Sequence, residues 1–318
     1  MPVIYLEPMF GLANRLIMII SAIRFAQAVG HELEVIWHNE LVGFGSNPHF
    51  AGPLDQFFPD LARFSSRRPE NISLFFPKSL APFRTVYDPR TFLHTDVFIS
   101  GWTHFILLPH DFEEGAGRLL TKDLRDIANK RLLNGFRLNS QSSDLRLVSD
   151  FLLAESLRGF DLGIHIRTDK FISTTDRDDP SFLSRELTES DFYELIRKYT
   201  VDASRPLRIF VCGVSSVSIE GVSNIALQFG HSVFSLPHAI RESAISIEAS
   251  SLYNSISVVS DFAQCLDFVL LSRCNLVVTW APSTFGGLAS LVAGKGRVVK
   301  MNNQLQLIGS DVFSGLGL

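Results

Sequence analysis

The sequence predicts an α/β protein of two domains built on parallel sheets, and three observations carry that reading. Short apolar runs rich in Val, Ile and Phe alternate with helical periodicity along most of the chain. The run Phe160 to Ile166 stops abruptly at the charged cluster Arg167-Thr168-Asp169-Lys170, as a buried parallel strand does at a sheet edge. The chain has 318 residues with 46% hydrophobic content, enough for two cores.

Val3 to Leu6 reads as a buried strand, and Glu7-Pro8-Met9-Phe10-Gly11 as the turn after it. From Leu12 the period becomes helical, with Leu12, Leu16, Ile19, Ile20, Ile23 and Ala26 on one apolar face and a stop near Gly30. Glu34 to Trp37 begins a second strand, which completes a βαβ unit. Its helix starts at Gly11-Leu12-Ala13-Asn14-Arg15, where free N–H groups and the helix dipole favour an anion or a sugar hydroxyl. Gly11 as a turn residue and Asn14 as a cap explain the same segment without a ligand.

Between Leu41 and about Ser140 the pattern weakens to short runs, among them Leu74 to Phe76 and Val97 to Ile99. Phenylalanine is heavily used, 27 residues against 5 tyrosines, which points to core filling rather than to a stacking surface. Thr121 to Leu133 reads as an amphipathic helix, and the polar stretch after it places the domain boundary at 140/141. The expected domains are therefore 1–140 and 141–318, with the last residues free to pack back on the first domain.

In the second domain, helices are expected over Leu145 to Leu157, Ser190 to Lys198, up to about Gln228, and Asp261 to Ser272. The strands between and after them are Phe160 to Ile166, Leu207 to Cys212, Ser232 to Leu236 and Asn275 to Thr279. Phe171 to Arg185 is too polar to pack and reads as a loop, over a cleft or simply solvated. Ser283 and Thr284 are N-cap types opening another helix, and Gly286-Gly287 admits a close backbone approach.

Arg167, just past a strand end, suits a phosphate or diphosphate, and His165 shares its face of the strand. A solvated strand end fits Arg167 and Asp169 as well. Three anion-suited sites in one chain point to a ligand held between two α/β domains.

Net charge is −4 with both signs interspersed, which argues against nucleic acid as a partner. Three cysteines, Cys212, Cys265 and Cys274, are too few and too dispersed for a disulfide framework or a four-ligand zinc site. With no signal peptide and no apolar run of membrane-spanning length, a cytoplasmic protein is expected, with peripheral membrane contact left open.

Gly11-Leu12-Ala13-Asn14-Arg15, His165-Ile166-Arg167-Thr168-Asp169-Lys170, and Asp267 with Leu270-Leu271-Ser272 leading to Ser283-Thr284-Phe285 resemble, in this order, the three signature regions of GDP-fucose-dependent fucosyltransferases. That superfamily contains α1,2-, α1,6- (including the rhizobial nodulation enzyme) and protein O-fucosyltransferases. The resemblance implies a GT-B architecture of two Rossmann-like domains facing a cleft, the first on the acceptor side and the second binding the nucleotide sugar. It implies an inverting, metal-independent transfer of fucose from GDP-fucose to a glycan, with no cofactor. Carried over, Arg167 binds the diphosphate with support from His165, and Asp267 contacts the donor. Ser283, Thr284 and Phe285 cradle its phosphates, Gly11, Asn14 and Arg15 reach the donor from the first domain, and Asp169 and Lys170 lie around the donor sugar.

Many relatives carry two consecutive arginines after the histidine, whereas Thr168 follows Arg167 here, and Arg15 is a candidate for the second charge. Several branches place paired acids after the strand at Arg208 to Val211, where this chain has Cys212-Gly213-Val214-Ser215. A transferase using another nucleotide sugar, or a non-catalytic nucleotide-sugar or glycan-binding protein, therefore remains an alternative. A Rossmann oxidoreductase lacks its Gly-x-Gly-x-x-Gly after the first strand. For an inverting transfer the candidate bases are Asp169, Asp176 and Glu7.

Overall fold

The structure is a computed structural model that describes residues 1–8, 11–37, 54–72, 74–75, 79–81, 84–86, 95–101, 104–106, 124–137, 143–166, 189–200, 203–213, 216–241, 261–279, 283–294, 297–301 and 304–308. The chain divides into two compact units, Met1–Asn139 and Ser140–Leu318.

Unit 1 opens with β1 (Val3–Pro8), α1 (Leu12–Val29) and β2 (Glu32–Ile36). Gly30 closes α1 in the left-handed conformation, φ +71°, with its N–H on the Ala26 carbonyl, so a glycine is required there. The periodicity predicts one apolar face, but α1 is buried almost all round. Ala13, Ile17, Met18, Ala22 and Phe25 are as enclosed as the predicted stripe.

After α2 (Leu54–Phe57), β3 (Arg63–Ser65) and β4 (Leu74–Phe75) join the same sheet. A small separate sheet holds β5 (Ser79–Ala81), β6 (Arg84–Val86) and β8 (His104–Ile106), with β7 (Val97–Gly101) preceding the last of these in the chain. The main sheet is wholly parallel, in the order β3-β2-β1-β7-β4. Of the expected helix at 121–133, residues 124–128 are α-helical and Asn129–Leu133 forms a π-helical turn.

Unit 2 contains α3 (Ser143–Leu157), β9 (Phe160–Ile166), α4 (Glu189–Thr200), β10 (Arg208–Gly213), α5 (Ser216–Gln228) and β11 (Ser232–Phe234). The short α6 (His238–Arg241) follows, then α7 (Asp261–Leu271), β12 (Cys274–Val278), α8 (Thr284–Ala293), β13 (Arg297–Met301) and β14 (Gln304–Ile308). Its sheet runs β11-β10-β9-β12-β13-β14, parallel except for the β13–β14 pair. That terminal hairpin escapes the sequence pattern, and it places residues 304–308 on the edge of this unit's sheet.

Helices cover the sheet on both faces. Leu162, Ile164, Ile166, Ile209, Val211 and Val278 pack with Leu195 and Ile196 of α4 and with Ile219, Val222, Ile225 and Ala226 of α5. On the other face α7 comes down onto β9: a Cβ added to Gly163 would lie 2.6 Å from Cys274 Sγ and 2.7 Å from Leu271 Cδ1. A parallel sheet enclosed in this way requires strands apolar on both sides, which is why β9 and β10 read as nearly continuous hydrophobic runs.

Candidate functional site

The order of unit 2's strands locates a site before any side chain is considered. From β9 the chain proceeds through α4 to β10 and through α5 to β11 on one side, then crosses to β12 on the other. The carboxyl ends of β9 and β12 are therefore the point where the winding reverses, and in open α/β sheets ligands bind in the crevice formed there.

His165 and Thr279 converge at this point. The register pairs Ile164 with Val278 and His165 with Cys212, so His165 and Cys212 face the α7 and α8 side, and Thr279 follows Val278 at the strand end. His165 Nδ1 lies 3.1 Å from Thr279 Oγ1 and 3.4 Å from Ser283 Oγ. The Phe285 ring stacks on the imidazole at 4.9 Å with planes 28° apart, and Phe268 of α7 meets Phe285 edge-on at 5.7 Å. Ser283 is the N-cap of α8 and its hydroxyl accepts the Gly286 N–H at 3.4 Å. Ser283 and Thr279 are fully enclosed, His165 is buried, and Thr284 and Phe285 are half-buried. A helix N-terminus and an imidazole backed by two buried hydroxyls thus gather at one sheet edge, and the N-terminus and the ring are groups suited to an anion.

The close approach expected at Gly286-Gly287 is made by Thr279. A Cβ on Gly286 would stand 2.0 Å from Thr279 Oγ1, so the bare glycine seats the first turn of α8 against that side chain.

At the neighbouring strand end, Arg241 donates from Nη1 and Nη2 to the two carboxylate oxygens of Asp267, at 2.7 and 2.9 Å, and from Nη1 to the Gly213 carbonyl at 2.9 Å. Both side chains are buried, and Arg241 Nε has no partner among the described residues. Burial pushes the Asp267 carboxyl up to about 6, against the opposing pull of Arg241. Asp267, predicted to contact a ligand, directs its carboxylate to Arg241, which ties α6 and α7 to the end of β10. The Cys212 thiol beside them is pushed well up by burial and by the Asp267 charge, and all three cysteines are buried and unbridged.

In unit 1, Gly11 is the N-cap of α1 with extended backbone and no side-chain capping bond; Asn14 is half-buried in the first turn. Arg15 is buried, with its guanidinium 4.7 Å above the Trp37 ring. Glu7 accepts from Arg68 Nε and Nη2 at 2.8 and 3.0 Å and from Ser100 Oγ at 2.7 Å.

Arg167, Asp169, Lys170 and Asp176 lie outside the described residues, as does the whole segment 167–188. Two members of the site were not singled out from the sequence. Thr279 ends a predicted strand next to the noted Ser283-Thr284 pair, and its alternation with Val278 was the available signal. Arg241 stands in a four-residue helix too short to show a period. Among the described residues, no helix is long and apolar enough to cross a membrane and no three His, Cys, Asp or Glu gather as a metal site.

No protein-family model matches this chain, and no curated protein matches it. Among solved structures it is similar to the fucosyltransferase NodZ from Bradyrhizobium, with a TM-score of 0.52 and 14% identity over 97% of this chain and 99% of that one. It is also similar to the NodZ α1,6-fucosyltransferase co-crystallised with GDP, with a TM-score of 0.50 and 17% identity over 97% and 98%. The likeness covers 97% of the chain and is one of α/β fold.

Proposed function

We propose that the chain is an inverting, metal-independent glycosyltransferase that transfers fucose from GDP-fucose to a glycan acceptor. One observation carries the reading: His165, Thr279, Ser283 and the N-terminus of α8 meet at the switch point of unit 2, in a fold shared with a fucosyltransferase that has been co-crystallised with GDP. The proposal includes the GT-B architecture, with unit 1 as the acceptor-side domain and unit 2 as the donor-side domain.

In this reading the acceptor oxygen attacks the anomeric carbon of the sugar as the bond to the diphosphate breaks, and the electron pair leaves on the β-phosphate oxygen. Arg167, the residue after Ile166, neutralises that developing charge with its permanent cation and planar donors. His165 and the α8 N-terminus add fixed dipoles on the same oxygens, with Ser283, Thr284 and Phe285 forming the turn beneath them. Lys170 lies on the donor sugar, Asp169 takes the acceptor proton, and Gly11, Asn14 and Arg15 complete the donor site. Asp267 acts through Arg241, holding the end of β10 at Gly213. The reaction needs no cofactor, and EDTA is expected to leave it unchanged.

The test is GDP release and product formation with oligosaccharide acceptors. Arg167→Ala is expected to lower turnover by about 10²–10³-fold with the fold intact. Turnover equal to that of the unmodified chain overturns the role given to Arg167. The single arginine before Thr168 favours a second reading, a protein that binds the nucleotide sugar without turnover, which predicts tight binding and no product.

A further inference from the structure

We propose that Thr279 and Ser283 fix His165 as the tautomer with its proton on Nε2, which makes Thr279 a positioning residue for an imidazole that serves as a hydrogen-bond donor. The assignment follows from counting protons around Nδ1. Ser283 Oγ accepts the Gly286 N–H and still carries its own proton, which needs an acceptor. Thr279 is wholly buried, and among the described residues its hydroxyl meets one partner, His165 Nδ1 at 3.1 Å. Ser283 Oγ stands 3.4 Å from the same nitrogen. With Nδ1 as acceptor, a hydroxyl proton is satisfied. With Nδ1 as donor, neither hydroxyl proton has an acceptor among the described residues although both side chains are buried, an expensive arrangement. The hydrogen bonds at one ring nitrogen set the proton on the other.

Two further contacts hold the arrangement. Phe285 stacks on the imidazole and restrains its plane. Gly286 leaves the space that Thr279 fills, since a Cβ there would stand 2.0 Å from Thr279 Oγ1 and 2.3 Å from Thr279 Cβ. Threonine, histidine and glycine thus form one unit spanning β12, β9 and α8. The consequence for chemistry rests on the transferase reading: a histidine fixed in this way donates to an anionic leaving oxygen and does not act as the base.

Long-range proton–nitrogen-15 spectra of the full chain, histidine-labelled and held at about pH 8 so that imidazoles are neutral, test the assignment without substrate. His165 is identified among the nine histidines by His165→Gln. The expected pattern is a protonated Nε2 and a bare Nδ1, and the reverse pattern overturns the proposal. Thr279→Val, which keeps the shape, is expected to weaken the preference and to lower kcat by about 10–10²-fold while KM moves less than about threefold. Thr279→Ser is expected to restore both, and Gly286→Ala to repeat the loss by displacing Thr279. An unchanged tautomer in Thr279→Val overturns the role of Thr279. The predicted tautomer in a wild-type chain without transferase turnover upholds the assignment and removes only the reaction.

Discussion

Arg241 and Asp267 face each other through two parallel hydrogen bonds, 2.7 and 2.9 Å long, with both side chains buried. A buried charge is tolerated because its partner is present, so loss of one member leaves the other uncompensated. Arg241→Met is expected to cost about 3–5 kcal/mol in urea unfolding, and Arg241→Met combined with Asp267→Leu to recover most of it. A single-mutant cost below about 1 kcal/mol would contradict the pairing.

The same pair predicts a pH dependence of unusual sign. Burial holds the Asp267 carboxyl near 6, above its ordinary 3.8. Between these values the folded chain retains a proton that the unfolded chain has released, which favours folding. The contribution is complete below the unfolded value and is lost as pH rises through about 6. Wild type is therefore expected to gain stability over Asp267→Asn as pH falls from about 7 to 4, by on the order of 2–3 kcal/mol. Denaturant titrations across that range check it, and a gap that shrinks on acidification contradicts it.

Gly163 admits α7 onto the middle of β9. Gly163→Ala places a methyl against Cys274 Sγ and Leu271 Cδ1, both closer than 3 Å, and is expected to cost about 1–3 kcal/mol through overpacking. A thermal midpoint equal to wild type would mean that α7 shifts freely.

Glu7 accepts two hydrogen bonds from Arg68 and one from Ser100. Glu7→Gln is expected to lower stability by about 1–2 kcal/mol and to spare turnover the ~10²-fold loss that removal of a general base produces. A loss of that size in transfer assays would return Glu7 to the chemistry.

Much of unit 2's fold was legible because β9 and β10 are buried on both faces and three of its helices are followed by Gly159, Gly230 and Gly294. Phe160–Ile166 has the bounds that the apolar run predicted, and Gly159 follows the helix with φ +83°. The small sheet and the β13–β14 hairpin were not legible, because strands such as Arg84–Val86 are too short to alternate and Gln304–Ile308, last in the strand order, mixes polar with apolar residues. At the site, His165 and Ser283 stood out by residue type and strand-end position. Thr279 and Arg241 did not, since their partners lie 114 and 26 residues away in the chain. Sequence spacing cannot show that the glycine at 286 accommodates the threonine at 279.

Isothermal titration of the purified chain with GDP, GDP-fucose, UDP and dTDP, with and without EDTA, tests most directly whether the chain binds a guanine nucleotide sugar. Micromolar binding selective for GDP and GDP-fucose, unchanged by EDTA, is expected. Selective binding of another nucleotide, or binding abolished by EDTA, would contradict the proposed function.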